Sequence, residues 1–356
     1  MRLTAPATTE RNFQRQLQFD DNRLLPHLYG KQNEHLLRIE NQLGICIGSR
    51  GGQLAVSGVA DRVHMAVAAL DLLYRRLKQG LDVTVGEVDA ALRLAMNLKA
   101  NPNAGLNADS ALPDPEASVI STRKRRVTSR SPGQAHYIAA LEESELVVAL
   151  GPAGSGKTYL AVAMAVSMLL SGRVDRIILS RPAVEAGERL GFLPGDFQEK
   201  IAPYLRPLYE ALHDMMPSDQ VQRMLASDEI EIAPLAFMRG RTLANAYVIL
   251  DEAQNTTAVQ MKMLLTRLGE NSRMTITGDL TQIDLPHGVC SGLANSLEIL
   301  QTVEGARIVE LGDADVVRHP LVSAIVRAYE ARDQEKNTTP CAPQKPCAPR
   351  NRPRDV

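Results

Sequence analysis

The stretch VVALGPAGSGKTYLAVAMAV, residues 147–166, decides the fold class of this chain. Val147–Leu150 is apolar at every position, which predicts a strand of a parallel sheet that is buried on both faces. Gly151–Thr158 matches the pattern G-x-x-x-x-G-K-[ST] throughout, and the apolar run after it predicts a helix. The order of strand, glycine-rich loop and helix predicts a phosphate-binding loop (P-loop) in an α/β domain. The alternative is a glycine-rich turn before a core helix.

The predicted P-loop would bind phosphate through its backbone and two side chains. Its glycines allow positive φ, which turns N–H groups inward at the positive end of the helix dipole. Lys157 would reach the β- and γ-phosphates, and the Thr158 hydroxyl would bind Mg²⁺. The predicted nucleotide-binding residues of the loop are Gly151, Pro152, Ala153, Gly154, Ser155, Gly156, Lys157 and Thr158.

The composition of the 356-residue chain is that of an aliphatic globular protein, with 44% hydrophobic residues and no Trp. A formal net charge of −1 excludes a global basic field, so contact with a polyanion must be local. The four cysteines form no C-x-x-C pair, which predicts neither a disulfide framework nor a zinc site. Because no leader-like segment or apolar run of membrane-spanning length occurs, we expect a soluble, cytoplasmic protein without membrane contact.

Composition also divides the chain into five predicted segments. Residues 1–32 are predicted to form an irregular arm, in which NFQRQLQF would be an edge strand, and residues 33–98 a small α+β domain. Residues 99–131 are rich in Pro, Asn, Asp and Ser, and are predicted to be a linker with a basic run. Residues 132–332 alternate strand and helix patterns, as an α/β domain does, and the Pro-rich residues 333–356 are predicted to be disordered.

A second apolar strand supplies two acids. The segment AYVILDEAQN, residues 246–255, predicts a buried strand that ends on Asp251 and Glu252. On a strand neighbouring that of the P-loop, Asp251 would hold Mg²⁺ opposite Thr158, and Glu252 would polarise an attacking water. This pair favours hydrolysis over transfer to a small molecule, and the alternative is a solvated strand end.

Two further predicted strands end on polar residues. The segment RMTITGD, residues 273–279, leads to Gln282, and we expect Asp279 and Gln282 beside the γ-phosphate unless the segment is an ordinary turn. The segment RIILSRP carries Arg181 at its end. This arginine would contact a phosphate or a nucleic-acid backbone. The alternative is a solvated loop residue.

Taken together, the motifs resemble the PhoH family of ATPases. The segments GPAGSGKT, SRPAVEAGERLGFLPGD, ILDEAQN, TGDLTQIDLP and DVVRHPLV occur in that family's order and spacing over residues 115–332. They are also similar to the motifs of superfamily 1 helicases, which stand on a RecA-like sheet. The resemblance implies a P-loop NTPase domain that uses ATP and Mg²⁺.

The same resemblance implies roles for individual residues. Gln134 would read the adenine edge, with Tyr137 nearby as a support for the ring. Gln254 and Gln282 would sense the γ-phosphate, and Arg318 resembles the arginine that completes an ATPase site, often from a neighbouring subunit. The alternative role of this arginine is to cap the turn before the next proline. The implied catalytic residues are Lys157, Glu252, Gln282 and Arg318, and the implied metal ligands are Thr158 and Asp251.

A superfamily 1 helicase holds ATP between two RecA-like domains, whereas this chain has room for one such domain between Gly151 and Arg332. The resemblance therefore implies a homo-oligomeric ring, with a hexamer as one option. In such a ring a second copy would supply the other face of the ATP site.

Contact with RNA is suggested by two segments. The predicted small α+β domain, residues 33–98, resembles the KH-like N-terminal region of PhoH proteins. Within it GSRG, residues 48–51, matches the loop with which KH domains clamp a nucleic-acid backbone. Because GSRG lies between two predicted strands, we favour a hairpin turn. The second segment, STRKRR, is either a patch that neutralises the phosphates of single-stranded RNA or a solvated linker. Its basic residues, with one that follows, are Arg123, Lys124, Arg125, Arg126 and Arg130.

Three functions are compatible with these patterns. The first is an RNA-linked ATPase, helicase-like or remodelling, that acts as an oligomer in RNA metabolism. The second is an ATP-switched adaptor that docks an endoribonuclease or a ribosome-maturation partner, as the resemblance implies. The third, a small-molecule phosphotransferase, is disfavoured because Glu252 beside Asp251 suits a water nucleophile.

Overall fold

The structure is a computed structural model. It describes residues 13–100, 119–182, 197–286 and 288–317, together with Val322 and Ile325. Arg318, the predicted tail 333–356 and residues 183–196 of the SRPAVEAGERLGFLPGD motif lie outside the described residues. Residues 1–12 of the predicted arm and 101–118 of the predicted linker also lie outside them.

An antiparallel sheet and helices form a small unit at the N-terminal end of the described chain. Its strands are β1 (Phe13–Gln18), β2 (Cys46–Arg50) and β3 (Gln53–Gly58), in the order β1-β3-β2, and its helices are α1 (Leu25–Tyr29), α2 (Glu34–Leu43), α3 (Ala60–Lys78) and α4 (Val85–Ala100). Alternate residues of β3, Leu54 and Val56, are fully buried in one core with Ile39 of α2 and Leu70 of α3. The sheet is therefore covered by helices on one face.

The GSRG segment is part of a hairpin. β2 and β3 pair antiparallel with Arg50 opposite Gln53, and Gly51 at the turn has a φ of 61°, which favours glycine. This confirms the hairpin interpretation. β1 pairs with β3 over its whole length and forms an edge of the sheet, which confirms the strand predicted in NFQRQLQF.

A second hairpin lies at the end of the segment predicted as a linker. Its strands are β4 (Val119–Ser121) and β5 (Arg126–Thr128). Ile120 and Val127 are buried in the core of the following α/β domain. The basic run therefore forms the turn of a hairpin that is anchored to that domain.

Six parallel strands form the main sheet within the described residues. They are β6 (Leu146–Leu150), β7 (Arg176–Arg181), β8 (Ile230–Pro234), β9 (Ala246–Leu250), β10 (Arg273–Gly278) and β11 (Ala306–Glu310), in the order β11-β6-β10-β9-β7-β8. The helices of this domain are α5 (Pro132–Glu143), α6 (Lys157–Leu170), α7 (Phe197–Met215), α8 (Ser218–Ala226), α9 (Ala258–Leu265) and α10 (Gly292–Leu300). The predicted α/β fold with a parallel sheet flanked by helices, preceded by a small α+β unit, is confirmed.

The uninterrupted apolar runs arise because both faces of the sheet are buried. Val147 and Ala149 of β6 face a core that includes α5, α6, α7 and α8, whereas Leu146, Val148 and Leu150 face a core that includes α9 and α10. β9 divides its side chains between the same two cores. A strand with two buried faces has no position for a solvated side chain, so its sequence shows no polar alternation.

The sequence suggested that the P-loop strand β6 and the strand of the two acids, β9, are neighbours in the sheet. In the structure they are not hydrogen-bonded to each other. β10 lies between them, with Ile276 opposite both Val148 of β6 and Leu250 of β9. Because all three strands are parallel and in register, their C-terminal ends still meet at one edge of the sheet. The position of β10 between β6 and β9 therefore leaves room for a ligand between the P-loop and the two acids.

A buried carboxylate joins the N-terminal unit to the α/β domain. Glu87 of α4 accepts hydrogen bonds from Arg130 Nε and Nη2 at 3.1 and 2.8 Å, and its Oε1 lies 3.5 Å from Nη2 of Arg76. Burial lowers the pKa of the Arg76 guanidinium, and the Glu87 carboxylate partly offsets that effect. Arg93 of α4 also donates to the carbonyl of Val316 at 2.6 Å.

We expect Glu87→Ala to lower the free energy of unfolding by about 2 kcal/mol, because two partly buried guanidinium groups lose their shared carboxylate. Urea unfolding followed by circular dichroism measures the change. Asp71→Ala is the matched control, since its pair with Arg75 is exposed on both sides, and it should cost less than about 0.5 kcal/mol. Equal losses in the two variants would contradict the role given to Glu87.

Candidate nucleotide-binding site

The P-loop connects β6 to the N-terminus of α6. Gly154 and Gly156 have φ values of 83° and 88°, a region that residues with a Cβ rarely adopt. At Gly151 a Cβ would lie 2.4 Å from the carbonyl oxygen of Leu311, so only glycine fits there. The pattern of glycines in the sequence is thus explained by backbone geometry and by one close approach.

Lys157 contacts the acceptors of its own loop. Its Nζ donates to the carbonyl oxygens of Gly151 and Pro152 at 2.6 and 2.9 Å, and to Ser155 Oγ at 3.4 Å. The loop is also tied to β10, since the N–H of Gly151 donates to the carbonyl of Gly278 at 3.2 Å. The ammonium group is therefore held at the P-loop, where an anion would meet it.

Thr158 at the start of α6 and Asp251 after β9 are in direct contact, although β6 and β9 are not neighbours. Thr158 Oγ1 donates to Asp251 Oδ1 at 2.6 Å, and Thr277 Oγ1 of the inserted strand donates to the same oxygen at 2.7 Å. The N–H of Asp251 donates to the carbonyl of Ser180 at 2.9 Å. The predicted pairing of a hydroxyl with a carboxylate is thus present, and Thr277 is a member of the site that sequence reasoning missed.

Glu252 has an unusual backbone conformation. Its φ of 53° and ψ of 40° place a non-glycine residue in the left-handed region, which costs on the order of 1 kcal/mol. Its carboxylate accepts a hydrogen bond from Gln254 Nε2 at 2.6 Å and forms an ion pair with Arg181 at 3.3 Å. Arg181, predicted as a phosphate or nucleic-acid contact or a loop residue, therefore lies beside the second acid.

Gln254 joins three segments of the site. Besides Glu252, its Nε2 donates to the carbonyl of Gln282 at 3.1 Å, and its Oε1 accepts from the N–H of Asp279 at 3.1 Å. Gln282 Nε2 donates to Asp279 Oδ2. Burial raises the pKa of Asp279, but hydrogen bonds from Thr281 and Gln282 and the charge of Lys157 outweigh it, so the net shift is downward. Glu252 and Gln254 after β9 and Asp279 and Gln282 after β10, all expected from the sequence, therefore form one network.

Gln134 lies next to the P-loop, and Tyr137 does not line it. Gln134 Nε2 donates to the carbonyl of Ser155 at 2.9 Å, and its Oε1 accepts from the N–H of Arg130 at 2.8 Å. Reading of the adenine edge by Gln134 stays a prediction. Tyr137 is fully buried in the core and donates to the carbonyl of Lys157 at 3.2 Å, so the expectation that it supports the base is wrong.

A cleft of about 260 Å³ brings part of the predicted set together, while Gln134 and Gln254 do not line it. It is lined by Ala153, Gly154, Gly156, Lys157, Thr158, Tyr159, Asp251, Glu252, Gly278, Asp279 and Gln282.

In the described ranges, no helix has the length and apolar character needed to cross a membrane. The described side chains also include no group of three or more His, Cys, Asp or Glu residues that could hold a metal ion by itself.

Comparison with known proteins agrees with this geometry. Residues 126–330 match the family model described as PhoH-like protein. The chain is 47% identical over 306 residues to a PhoH-like protein of Bacillus subtilis (strain 168), which covers 86% of this chain and 94% of the relative. It is 42% identical over 319 residues to a PhoH-like protein of a Synechocystis strain, covering 89% of this chain and 94% of the relative.

A third relative shares a shorter stretch. Protein PhoH of Escherichia coli (strain K12) is 50% identical over 205 residues, which is 57% of this chain and 58% of the relative. The match therefore covers just over half of the chain in this relative and most of the chain in the other two. With a P-loop on a parallel sheet and these similarities over most of its length, the chain belongs to the PhoH-like protein family.

Proposed function

We propose that the protein binds ATP with Mg²⁺ and hydrolyses it. The observation that carries this proposal is the 2.6 Å contact between Thr158 Oγ1 and Asp251 Oδ1, with Glu252 next in the chain. Hydroxyl and carboxylate oxygens are ligands that Mg²⁺ uses beside phosphate groups, with water completing its shell. The glycine cradle and Lys157 supply the donors and the positive charge that a triphosphate requires.

Each residue would contribute a separate effect. Lys157 would exchange its loop acceptors for phosphate oxygens, and Thr158 with Asp251 would hold the metal ion. Bound Mg²⁺ would neutralise charge that develops on the phosphate oxygens. Glu252 would accept the proton of an attacking water, because Gln254 and Arg181 fix the direction of its carboxylate.

Removal of the proposed base should separate binding from hydrolysis. We expect Glu252→Gln to bind ATP with a Kd within about threefold of the unsubstituted protein and to hydrolyse it at least about 100-fold more slowly. Titration calorimetry and single-turnover hydrolysis measure the two quantities. Glu298→Gln is the control, since this exposed glutamate lies on α10 outside the cleft. Unchanged hydrolysis in Glu252→Gln would exclude Glu252 as the base.

We also propose that single-stranded RNA stimulates this hydrolysis. The support is the β4–β5 hairpin, where Arg123, Lys124 and Arg125 of the turn and Arg126 at the start of β5 are all exposed. Lys124 Nζ donates to the carbonyl of His213 at the end of α7, so the turn is held in place on the domain surface. Basic side chains at a fixed turn can neutralise successive phosphates without reading sequence.

An ATPase assay with and without single-stranded RNA tests this proposal. We expect stimulation that declines steeply between about 50 and 200 mM salt, because counterion release drives phosphate contacts. Arg123→Glu should reduce the stimulation, and the matched change Arg223→Glu, at an exposed position on α8, should not. If RNA leaves hydrolysis unchanged and a ribonuclease partner raises it, the alternative function, an ATP-switched adaptor, is favoured instead.

We further propose a homo-oligomeric ring in which Arg318 acts on the neighbouring ATP site, supported by the family resemblance and by the one P-loop domain within the described residues. Lys157→Ala and Arg318→Ala should each abolish hydrolysis when alone. A mixture of the two variants should recover part of the activity, because some interfaces then pair an intact P-loop with an intact arginine. Hydrolysis by the mixture and the mass of the assembly are the measurements. Strict inactivity of a mixed assembly would argue for an arginine that acts within its own subunit.

A further inference from the structure

A second, larger cavity adjoins the phosphate cleft. It has a volume of about 970 Å³ and lies between the α3–α4 connection, the β4–β5 hairpin and the P-loop. Gly154, Gly156 and Tyr159 line both cavities. A ligand bound at the P-loop can therefore extend over the two glycines into the larger space.

The sizes of the two cavities suggest how a nucleotide would divide between them. The cleft of about 260 Å³ is smaller than the roughly 300–1,000 Å³ of typical small-molecule sites. It carries the groups that suit a polyphosphate, namely Lys157, Thr158 and Asp251. The nucleoside half of a bound nucleotide can then occupy the adjoining cavity, whose walls include apolar side chains of Leu81, Val127 and Leu160.

Tyr159 is the one aromatic side chain among the described residues that line either cavity. It follows Thr158 directly in α6, and its ring is half-buried against the main core. Its hydroxyl donates to Asp214 Oδ2 at 3.1 Å and accepts from Arg125 Nη1 at 3.3 Å, and Arg125 pairs with Asp214 at 3.0 Å. These contacts fix the ring at the junction of the phosphate cleft and the larger cavity.

We propose that Tyr159 is a base-binding residue whose ring stacks on the nucleobase of the bound nucleoside triphosphate. The inference rests on the proposed ATP binding and adds the residue that contacts the base, in place of the buried Tyr137. An aromatic ring accepts the π-face of every base, so the contact raises affinity without selecting between adenine and guanine. Selection would fall to polar groups in the same cavity, such as Gln134.

Binding of ATP and of inorganic tripolyphosphate separates the base contact from the phosphate contact. Tyr159→Leu should weaken ATP at least about fivefold, because a base–aromatic stack is lost. The Kd for tripolyphosphate, which has no base, should change less than about twofold. Tyr159→Phe keeps the ring and should bind ATP nearly normally, which separates stacking from the hydroxyl contacts. Tyr209→Leu is the matched control, since Tyr209 packs against the same core without lining either cavity.

Titration calorimetry with both ligands gives the result, and thermal melting confirms that each variant is folded. If the unsubstituted protein binds neither ligand, the proposed function itself fails. If ATP binds Tyr159→Leu as tightly as the unsubstituted protein, the inference is overturned while the proposed function stands. Parallel losses for ATP and tripolyphosphate would also overturn it, because they would show a structural role. A loss of RNA binding with unchanged ATP binding would assign the larger cavity to RNA instead.

Discussion

The contact between Thr158 and Asp251 is the constraint on which the candidate site depends. It joins residues 93 positions apart and spans a pair of strands that are separated by β10. The contact forms because the three parallel strands end at one edge of the sheet, and Thr277 of the strand between them shares the same carboxylate oxygen. Burial of both faces of these strands fixes that register, since a shift of one residue would exchange the side chains between the two cores.

A single buried amide coordinates the polar half of the site. Gln254 contacts the carboxylate of Glu252, the carbonyl of Gln282 and the N–H of Asp279, so the loops after β9 and β10 share one side chain. Glu252 keeps its left-handed backbone conformation within this network. A ligand that moves any one of these groups must change the hydrogen bonds of the others. If ATP binds as proposed, this network would give a physical basis for sensing the terminal phosphate without contact between Gln254 and that phosphate.

The sequence predicted the parts of the site that depend on neighbouring residues in the chain. The P-loop, the two acids after β9 and the polar end of β10 each have local patterns, and residues from each of them line the cleft. The sequence did not predict the position of β10 between β6 and β9, because strand order depends on packing between distant segments. Thr277 was missed for the same reason. The one available signal was the period of two in RMTITG, which places Thr275 and Thr277 on one face.

Two tyrosines also show that local sequence patterns do not predict where a side chain packs. Tyr137 and Tyr159 both lie near the P-loop in sequence, and periodicity alone does not say which ring is buried. α5 packs Tyr137 into the core, whereas the start of α6 leaves part of Tyr159 in the cavity wall. The basic run is a further case, since Pro, Ser and Asp nearby indicated a linker while Ile120 and Val127 anchor it as a hairpin. Side-chain destinations of this kind are decided by tertiary packing.

The N-terminal unit reaches the P-loop through consecutive contacts, and these contacts limit what Gln134 can recognise. Glu87 binds the Arg130 side chain, the Arg130 N–H donates to Gln134 Oε1, and Gln134 Nε2 donates to the carbonyls of Ser155 and Asp315. Breaking these bonds to read a base would leave buried polar groups unpaired, at a cost of about 1–3 kcal/mol for each. With both amide hydrogens in use, the remaining capacity of Gln134 is one lone pair of Oε1. In the proposed ATP complex that lone pair would accept a hydrogen bond from the exocyclic amine of adenine, whereas the carbonyl of guanine at the same position offers no donor. If ATP binds as proposed, Gln134 would favour adenine while it keeps its contacts to the P-loop and to the N-terminal unit.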